Sequence, residues 1–197
     1  MRSRCTLCAS PFESREMTSH LCGECLLQNR YCQKVHAAGV YRGLLLEMIA
    51  RLKYKGEENL ASYLGWKMAG ELSQEKCLFD SILPIPLHLS RLRERGYNQA
   101  LLLAQEIGFH LKIKVDPFII VKKKPTVPQA FLKGEERRKN LREIFFIKNP
   151  EKVKDGRILL VDDVYTTGAT IEAASQVLWD AGAARVEALV VARAAHH

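Results

Sequence analysis

The chain has 197 residues, of which 47% are hydrophobic and 26% charged, and its formal net charge is +8. That length suits one α/β core with a small appendage and excludes two large domains. No apolar run approaches the roughly 20 residues that span a bilayer, and the N-terminus lacks the apolar segment of a secretory signal, so we expect a cytoplasmic protein with no membrane span.

The first 33 residues contain few apolar residues and five of the six cysteines. Two C-x-x-C pairs are separated by 13 residues, a spacing typical of a zinc site with four ligands: Cys5, Cys8, Cys22 and Cys25. Because such a closed site has no open coordination position, the zinc is predicted to be structural. His20 or Cys32 as a substitute ligand, and a redox role of the pairs, remain alternatives. We predict a cysteine-rich zinc-binding module over residues 1–36.

Residues 37–197 show short apolar runs that alternate with amphipathic helical patterns, which is typical of an α/β fold. Apolar residues at helical spacing predict three helices, over residues 42–53, 58–72 and 98–111. Apolar runs predict three strands, over residues 81–85, 115–121 and 144–147. We therefore expect this domain to contain a parallel sheet flanked by helices.

The clearest unit of this pattern lies near the C-terminus. Ile158 to Val161 form an unbroken apolar run, as in a strand buried on both faces, and a helix is predicted after the polar residues that follow. Gly182 ends that helix, and residues 186–192 return as a second apolar strand. Since ligands bind beyond the carboxyl ends of parallel strands, the polar segment after Val161 is the predicted site.

Asp162 to Thr170, the segment after this strand, has the groups needed to bind a sugar phosphate. Three threonine hydroxyls, a glycine and the N-terminus of the following helix offer hydrogen-bond donors to a phosphate, although no Walker A or dinucleotide-binding motif occurs. Asp162 and Asp163 are suited to accept hydrogen bonds from the vicinal hydroxyls of a ribose. The alternative is that each aspartate caps the next element or pairs with a lysine or arginine.

The stretch ILLVDDVYTTGAT, residues 158–170, resembles the signature with which type I phosphoribosyltransferases bind 5-phosphoribosyl-1-pyrophosphate (PRPP). The chain also resembles the ComF family (ComFC and GntX type proteins) in four further stretches, residues 53–56, 83–86, 91–100 and 129–145. This resemblance implies a type I phosphoribosyltransferase-like fold with an N-terminal zinc-binding module. It also implies a role in DNA uptake during natural transformation (competence).

By this resemblance, Asp162 and Asp163 are the catalytic pair that contacts the ribose hydroxyls. The 5-phosphate would be held by the residues that follow, namely Val164, Tyr165, Thr166, Thr167, Gly168, Ala169 and Thr170. Two tyrosines near the site, Tyr97 and Tyr165, either stack on a base or simply pack. Gly96 is interpreted as a hinge or as a helix start, and Asn98 as a helix N-cap.

A PRPP site also needs cations at its pyrophosphate end, where Mg²⁺ binds mainly through the phosphate oxygens of the substrate itself. Ile85 and Pro86 are candidates because they could present a tight backbone turn to the pyrophosphate. The basic candidates are Arg91, Arg95 and Lys53. For the arginines, the alternative is an ordinary surface salt bridge.

Most of the excess positive charge lies in residues 121–142, which contain eight basic and two acidic residues. Such a segment attracts polyanions, namely phosphates, pyrophosphate or a nucleic-acid backbone, and single-stranded DNA is one predicted partner. The candidate contacts are Lys122, Lys123, Lys124, Arg137 and Arg138. Because the segment has only one aromatic residue, Phe131, binding is expected to be electrostatic and blind to sequence. The alternative is a solvated loop with no partner.

Two functions follow from these features. The first is a phosphoribosyltransferase that releases pyrophosphate and acts on an unknown acceptor, with a role in DNA uptake. The second is a non-catalytic protein that binds incoming single-stranded DNA in the cytoplasm and uses PRPP as a structural or regulatory ligand, and here the family resemblance implies a competence helicase as partner. A sensor of PRPP or of another sugar phosphate is a third, weaker alternative.

Overall fold

The protein is described by a computed structural model that covers residues 3–12, 18–72, 79–123 and 144–194. These ranges contain six α-helices and six β-strands. The helices are α1 (Gly23–Leu27), α2 (Gly43–Tyr54), α3 (Leu60–Leu72), α4 (Leu89–Arg95), α5 (Gln99–Leu111) and α6 (Ala169–Asp180). The strands are β1 (Lys34–Ala37), β2 (Ser81–Pro84), β3 (Ile120–Lys122), β4 (Phe145–Ile147), β5 (Arg157–Tyr165) and β6 (Arg185–Arg193).

Four strands form a parallel sheet in the order β1-β6-β5-β2, which confirms the predicted fold class. The strands β5 and β6 lie at its centre, and their apolar side chains are buried on both faces. The strand β5 is longer than predicted, because Asp162 pairs with Val190 and Tyr165 pairs with Arg193. The predicted acid pair therefore lies within the strand, and the loop begins only at Thr166.

Helices cover both faces of this sheet. On one face, α2, α3 and α5 pack against a cluster that includes Leu159 and Val161. On the other face, α6 and β4 pack against Ile158 and Leu160. The alternation follows from the strand itself, since successive side chains point to opposite faces. None of the helices described is long and apolar enough to cross a membrane.

The strand β1 lies at one edge of the sheet and was not predicted. It pairs with β6, with Lys34 opposite Glu187 and Ala37 opposite Val190. Its sequence, KVHA, has no apolar run. The polar His36 is nevertheless buried, and its Nε2 lies 2.7 Å from Oε2 of Glu187 on β6. The module boundary predicted at residue 36 falls inside this strand, so residues 34–36 of the predicted module belong to the main sheet.

The strands β3 and β4 form a separate antiparallel hairpin. The strand predicted over residues 115–121 was too long, because Asp116 Oδ1 accepts a hydrogen bond from the Phe118 backbone and the chain turns there. Val115 makes only an isolated bridge to Ile82. The helix α4 was not predicted as a helix, and Gly96 ends it in a left-handed conformation with φ +84°. Gly96 is therefore a helix end, and its interpretation as a helix start was wrong.

Candidate functional site

The acid pair lies at the carboxyl end of β5. Asp163 is almost fully buried, and its Oδ1 lies 2.7 Å from Nζ of Lys53, which reaches the sheet from α2. The second oxygen, Oδ2, is also buried and has no hydrogen-bond partner within the described residues. Because an unpaired buried carboxylate oxygen is costly, this atom is an acceptor available to a donor on a ligand.

Asp162 points to the other face of the strand and is only partly buried. Its Oδ1 accepts a hydrogen bond of 2.9 Å from the backbone N–H of Asp163. Burial and the neighbouring charge of Asp163 raise the pKa of Asp162 to about 7, although Lys53 opposes this shift. Asp162 can therefore change its protonation state near neutral pH.

Two of the predicted pyrophosphate contacts, Lys53 and Arg95, line one cleft of about 150 Å³. Burial alone would lower the pKa of Lys53, but the Asp163 carboxylate outweighs it and the pKa is raised, so the side chain is an ammonium. The guanidinium of Arg95 lies 5.2 Å from the centre of the Tyr54 ring and hydrogen-bonds to Gln99. Glu94 also lines the cleft, which thus presents two cations and one carboxylate, and Lys53 joins it to Asp163.

The other pyrophosphate candidates lie at the end of β2 and on α4. The backbone N–H of Ile85 donates to Val161, and its carbonyl accepts a hydrogen bond of 3.1 Å from Asn98. Asn98 also accepts from the backbone of Ala100, which confirms it as the N-cap of α5. Pro86 follows in the extended segment after β2, whereas Arg91 is exposed and pairs with Glu94 in its own helix.

The loop between β5 and α6 has the geometry of an anion-binding turn. Gly168 adopts φ +81°, and a Cβ atom there would overlap the hydroxyl of Tyr165. The first-turn N–H groups of α6 have no carbonyl partner within the helix and face the same loop. Thr166 and Thr167 are exposed beside them, and Thr170 is partly buried. The loop therefore collects donors for an anion.

The side chain of Tyr165 lies beneath this loop and is 1% exposed. Its hydroxyl accepts a hydrogen bond of 2.6 Å from Arg30, and its ring lies 4.7 Å from the guanidinium of Arg193. Tyr165 therefore packs and does not offer its ring to a base. Tyr97 also packs, with its hydroxyl donating to the Leu52 carbonyl. Sequence reasoning missed both arginines, although a lone arginine closing an apolar strand was a usable signal at Arg193.

The predicted nucleic-acid contacts Lys122 and Lys123 lie on opposite faces of the hairpin. Lys122 is partly buried, where burial lowers its pKa and the charge of Asp162 opposes that change. Lys123 is exposed, and its ammonium lies 4.3 Å from the centre of the Phe146 ring. Lys122 thus lies on the face of the hairpin that senses the charge of Asp162, and Lys123 lies on the outer face. The remaining predicted contacts, Lys124, Arg137 and Arg138, lie outside the described residues.

The four predicted metal ligands, Cys5, Cys8, Cys22 and Cys25, come together, with all four Sγ atoms within 4.8 Å of one another. The Sγ atoms of Cys8 and Cys22 are 3.7 Å apart, close to the roughly 3.8 Å expected for a tetrahedron with Zn–S bonds of about 2.3 Å. Burial would raise the pKa of Cys5, but backbone N–H groups of Cys8 and Cys22 lower it to about 7, whereas burial raises the pKa values of Cys8 and Cys25 in the absence of a metal. Thiolates in this arrangement could hold a metal ion.

Neither alternative ligand lies in this cluster. His20 stacks on Phe12, with ring centres 4.1 Å apart, and the thiol of Cys32 donates to the Lys34 carbonyl. Both side chains therefore have other contacts, and the four paired cysteines account for the cluster without them.

Comparison with known proteins gives the chain a family. Residues 97–197 match the phosphoribosyl transferase domain. Competence protein F of Haemophilus influenzae is 34% identical over 180 residues, which cover 88% of this chain and 78% of the relative. DNA utilization protein YhgH of Escherichia coli K12 is 32% identical over 181 residues, with coverage of 89% and 79%.

Competence protein ComFC of Bacillus subtilis is 27% identical over 192 residues, which cover 91% of this chain and 73% of the relative. A glutamine PRPP amidotransferase from B. subtilis superimposes on 65% of this chain and 25% of its own, with a TM-score of 0.46 and 17% identity. With a domain match over half of its length and relatives that align along most of it, the chain belongs to the ComF family of proteins with a phosphoribosyltransferase domain.

Proposed function

We propose that the chain binds PRPP at the end of β5 and transfers its phosphoribosyl group to an acceptor, with release of pyrophosphate. The observation that carries this proposal is the juxtaposition of the acid pair with the loop that Gly168 opens. Asp163 has a buried oxygen that no described group satisfies, and the loop beside it collects N–H and hydroxyl donors. One end of the site suits a diol and the other a phosphate.

In this proposal the sugar lies across the end of the strand, so that Asp162 and Asp163, which lie on its opposite faces, each accept a hydrogen bond from one of the two ribose hydroxyls. The 5-phosphate lies against the first turn of α6, where backbone N–H groups and the partial positive charge of the helix end favour an anion. The hydroxyls of Thr166, Thr167 and Thr170 add donors to this anion. Tyr165 contributes its backbone to the loop and supports it from below.

The pyrophosphate occupies the cleft that Lys53 and Arg95 line. Lys122, on the inner face of the hairpin, adds a third cation near the acid pair. Mg²⁺ fits this site because it prefers oxygen ligands and usually keeps several of its bound water molecules. When bound, it would neutralise phosphate charge on the substrate. The protein therefore needs only the carboxylates and cations named here to hold the substrate complex.

The proposed transfer is a substitution at the anomeric carbon of the ribose. The acceptor nucleophile forms a bond to C1 of the ribose while the bond from C1 to the pyrophosphate oxygen breaks, and the electron pair leaves with pyrophosphate. The proton lost by the acceptor passes to solvent. The charge that develops on C1 lies beside the carboxylates, which lowers the barrier electrostatically, and the cations of Lys53 and Arg95 stabilise the leaving group.

Calorimetry with PRPP and Mg²⁺ tests the binding step. Wild type is expected to bind, and Asp163→Asn is expected to lose at least about tenfold in affinity, as for hydrogen bonds to charged groups. Asp180→Asn, at the exposed C-terminal end of α6, is the matched control and should bind as wild type. Equal affinity of all three proteins would reject the proposal. Pyrophosphate release that requires an added acceptor would identify the enzyme.

The names of the relatives support a role in the handling of DNA, since two are competence proteins and one a DNA utilization protein. We propose that this chain acts in the cytoplasm during DNA uptake, with a competence helicase as the predicted partner. The four-cysteine cluster suits structural zinc because no ligand position is left for a substrate.

Binding of single-stranded DNA is the second candidate function, and the outer face of the hairpin favours it. In the β3–β4 register, Val121 lies opposite Phe146, and both side chains are exposed. Lys123 lies over the Phe146 ring, and Lys148 follows β4 on the surface. An exposed aromatic ring flanked by lysines suits stacking on a base with phosphate contacts on either side.

This second function predicts a specific pattern in titrations with an oligothymidine. Phe146→Ala should weaken binding by about tenfold, because stacking of one base on an aromatic ring contributes about 1–3 kcal/mol. Lys123→Ala should reduce the slope of affinity against salt by about one ion. Phe109→Ala, an exposed phenylalanine on α5, is the control. Affinity that responds to neither hairpin variant would remove this face from consideration.

A further inference from the structure

Arg193 connects the cysteine cluster to the phosphate loop, which is defined here as residues 166–170. Its side chain is among the largest that are fully buried, with 1% exposure. Its Nε donates a hydrogen bond of 3.1 Å to the carbonyl of Cys8, one of the four cysteines. Its Nη1 donates to the carbonyls of Tyr165 and Thr166. Because a guanidinium is a rigid plane of donors, it fixes these carbonyls relative to one another.

A second connection runs through Arg30, which follows α1 and the second cysteine pair. Its side chain is 5% exposed, and its Nη1 donates a hydrogen bond of 2.6 Å to the hydroxyl of Tyr165. The same nitrogen lies 3.6 Å from Glu172 in the first turn of α6. The other oxygen of Glu172 accepts a 2.9 Å hydrogen bond from the backbone of Tyr31. The segment after the cysteines is thus tied to α6, the helix that follows the loop.

Both connections meet at Tyr165, and the phosphate loop depends on the position of that ring. The absence of a side chain at Gly168 leaves room for the Tyr165 hydroxyl. Arg193 stacks on the ring from one side, and Arg30 holds the hydroxyl at its edge. A shift of Tyr165 would therefore move Gly168 and the start of α6, where the N–H donors lie.

The cysteine module itself has little apolar surface to hold its shape. Its buried cluster consists of three cysteines, with Leu7, Phe12, Leu21 and Cys22 packed around them. Small modules of this kind derive most of their stability from the bound metal. Since Cys8 supplies both a thiol to the cluster and a carbonyl to Arg193, displacement of the cluster reaches the loop through a single side chain.

We infer that Arg193 and Arg30 are positioning residues through which the metal-loaded cysteine cluster holds the phosphate loop in its binding conformation. Metal and sugar phosphate are then coupled although neither contacts the other. Loss of the metal loosens residues 164–170 and weakens phosphosugar binding. The inference rests on the proposed function only for its ligand, since the order of the loop is a property of the unliganded chain.

Hydrogen–deuterium exchange of the full chain, without ligand, measures the order of the loop. Zinc-loaded wild type is compared with the same protein after chelation, and with zinc-loaded Arg193→Lys and Arg30→Gln. We expect faster exchange over residues 164–170 in all three altered samples, with zinc content unchanged in both variants. Lysine keeps the charge at 193 but loses the planar fork. Arg157→Lys, which pairs with Asp80 at the opposite end of β5, should exchange as wild type.

Calorimetry with ribose 5-phosphate then measures the coupling. Chelation and either variant should weaken binding by about tenfold, within the range of usual coupling free energies. If loop exchange is the same with and without zinc, the inference is wrong. It is also wrong if a variant changes the loop only in proportion to the zinc that it loses. If Arg193→Lys does not fold, Arg30→Gln decides the matter.

Failure of the proposed function gives a different result. In that case zinc-loaded wild type does not bind ribose 5-phosphate or PRPP at all, while exchange over residues 164–170 still responds to zinc and to both arginine variants. The coupling then stands for whatever anion the loop accepts. The reverse result, ligand binding that is indifferent to zinc, would leave the proposed function intact and overturn the coupling.

Discussion

The ammonium of Lys53 lies 2.7 Å from Oδ1 of Asp163, the buried carboxylate whose other oxygen has no described partner. Lys53 belongs to α2, which precedes the region that matches the phosphoribosyl transferase domain, residues 97–197. The N-terminal half of the chain therefore supplies a cation to the site that the matched half forms. This ion pair also makes the stability of the fold depend on a residue of the site.

Lys53→Met is expected to destabilise the fold by about 3 kcal/mol, because removal of one partner leaves a buried carboxylate uncompensated. Asp163→Asn in the same chain should recover much of that loss, since the charge that needed a partner is gone. Chemical denaturation of the two single variants and the double variant measures the coupling. Lys67→Met, a partly buried lysine on α3 outside the site, is the control. Additive effects of the two site substitutions would show that the ion pair is not coupled.

Gly168→Ala is expected to lower both stability and ligand affinity. The residue has φ +81°, and an added Cβ would overlap the Tyr165 hydroxyl, so the loop must shift. We expect a loss of more than about 1 kcal/mol in stability and at least about tenfold in affinity for ribose 5-phosphate. Thermal unfolding and calorimetry provide the two values.

Gly70→Ala is the matched control for that substitution. Gly70 lies in α3, and nothing lies within 4 Å of the position that its Cβ would take. Alanine favours a helix interior over glycine by about 1 kcal/mol, so this variant should be as stable as wild type or more so. A Gly168→Ala protein that matches it in stability and affinity would contradict the geometry of the loop.

Stability without ligand should depend on pH through Asp162. Its pKa is raised from the ordinary value of an aspartate to about 7 by burial and by Asp163, so the folded state binds more protons than the unfolded state between about pH 4 and pH 7. Stability from this group is therefore present at low pH and is lost as the pH rises toward 7. The difference in unfolding free energy between wild type and Asp162→Asn should fall by roughly 1 kcal/mol per pH unit from pH 5 to 7.

Ligand affinity should move in the opposite direction. A ribose diol donates its hydrogens and requires the ionised carboxylate, so affinity for ribose 5-phosphate should rise from pH 6 to pH 8. The phosphate of the ligand titrates near pH 6, and a ribose analogue with a fixed charge, such as the 5-sulfate, separates that contribution. A pH-independent affinity for the 5-sulfate would show that Asp162 does not receive the diol.

Zinc content should follow the four clustered cysteines and not the fifth. Cys25→Ser is expected to lose bound zinc and to unfold at a lower temperature, because a structural site needs all four ligands. Cys32→Ala should keep one zinc per chain, since its thiol donates to the Lys34 carbonyl instead. Elemental analysis of the purified variants gives the ratio. Zinc lost from Cys32→Ala but kept in Cys25→Ser would reverse the assignment.

The elements that could be predicted from sequence are those that bury an apolar face. The central strands contain unbroken apolar runs, residues 158–161 and 188–192, and α3 and α5 carry apolar residues at helical spacing, so these elements were predicted, although β5 extends four residues past the predicted run. The helix α4 has no buried residue and therefore no apolar period to read. In β1 the buried His36 is compensated by Glu187 from another strand. A pattern within one segment does not contain that information.

The same distinction holds for the site. The acid pair and the loop are contiguous, so their chemistry was visible in residues 162–170. The contacts of Lys53 with Asp163, and of Arg193 with Cys8, join residues that are far apart in the chain. They arise only in the folded chain, where Lys53 of α2 reaches β5 and the cysteine segment reaches the end of β6. For that reason the supporting arginines were missed although the loop that they support was found.

The alternation of Lys122 and Lys123 across the hairpin has a practical consequence. Neutralising both lysines together would remove positive charge from the sugar-phosphate side and from the outer side of the hairpin. A loss of binding in that variant could not be assigned to one of the two faces. Substituted one at a time, the two neighbours report on different surfaces. Substitutions at these two adjacent residues therefore test the two candidate polyanions, sugar phosphate and DNA, independently.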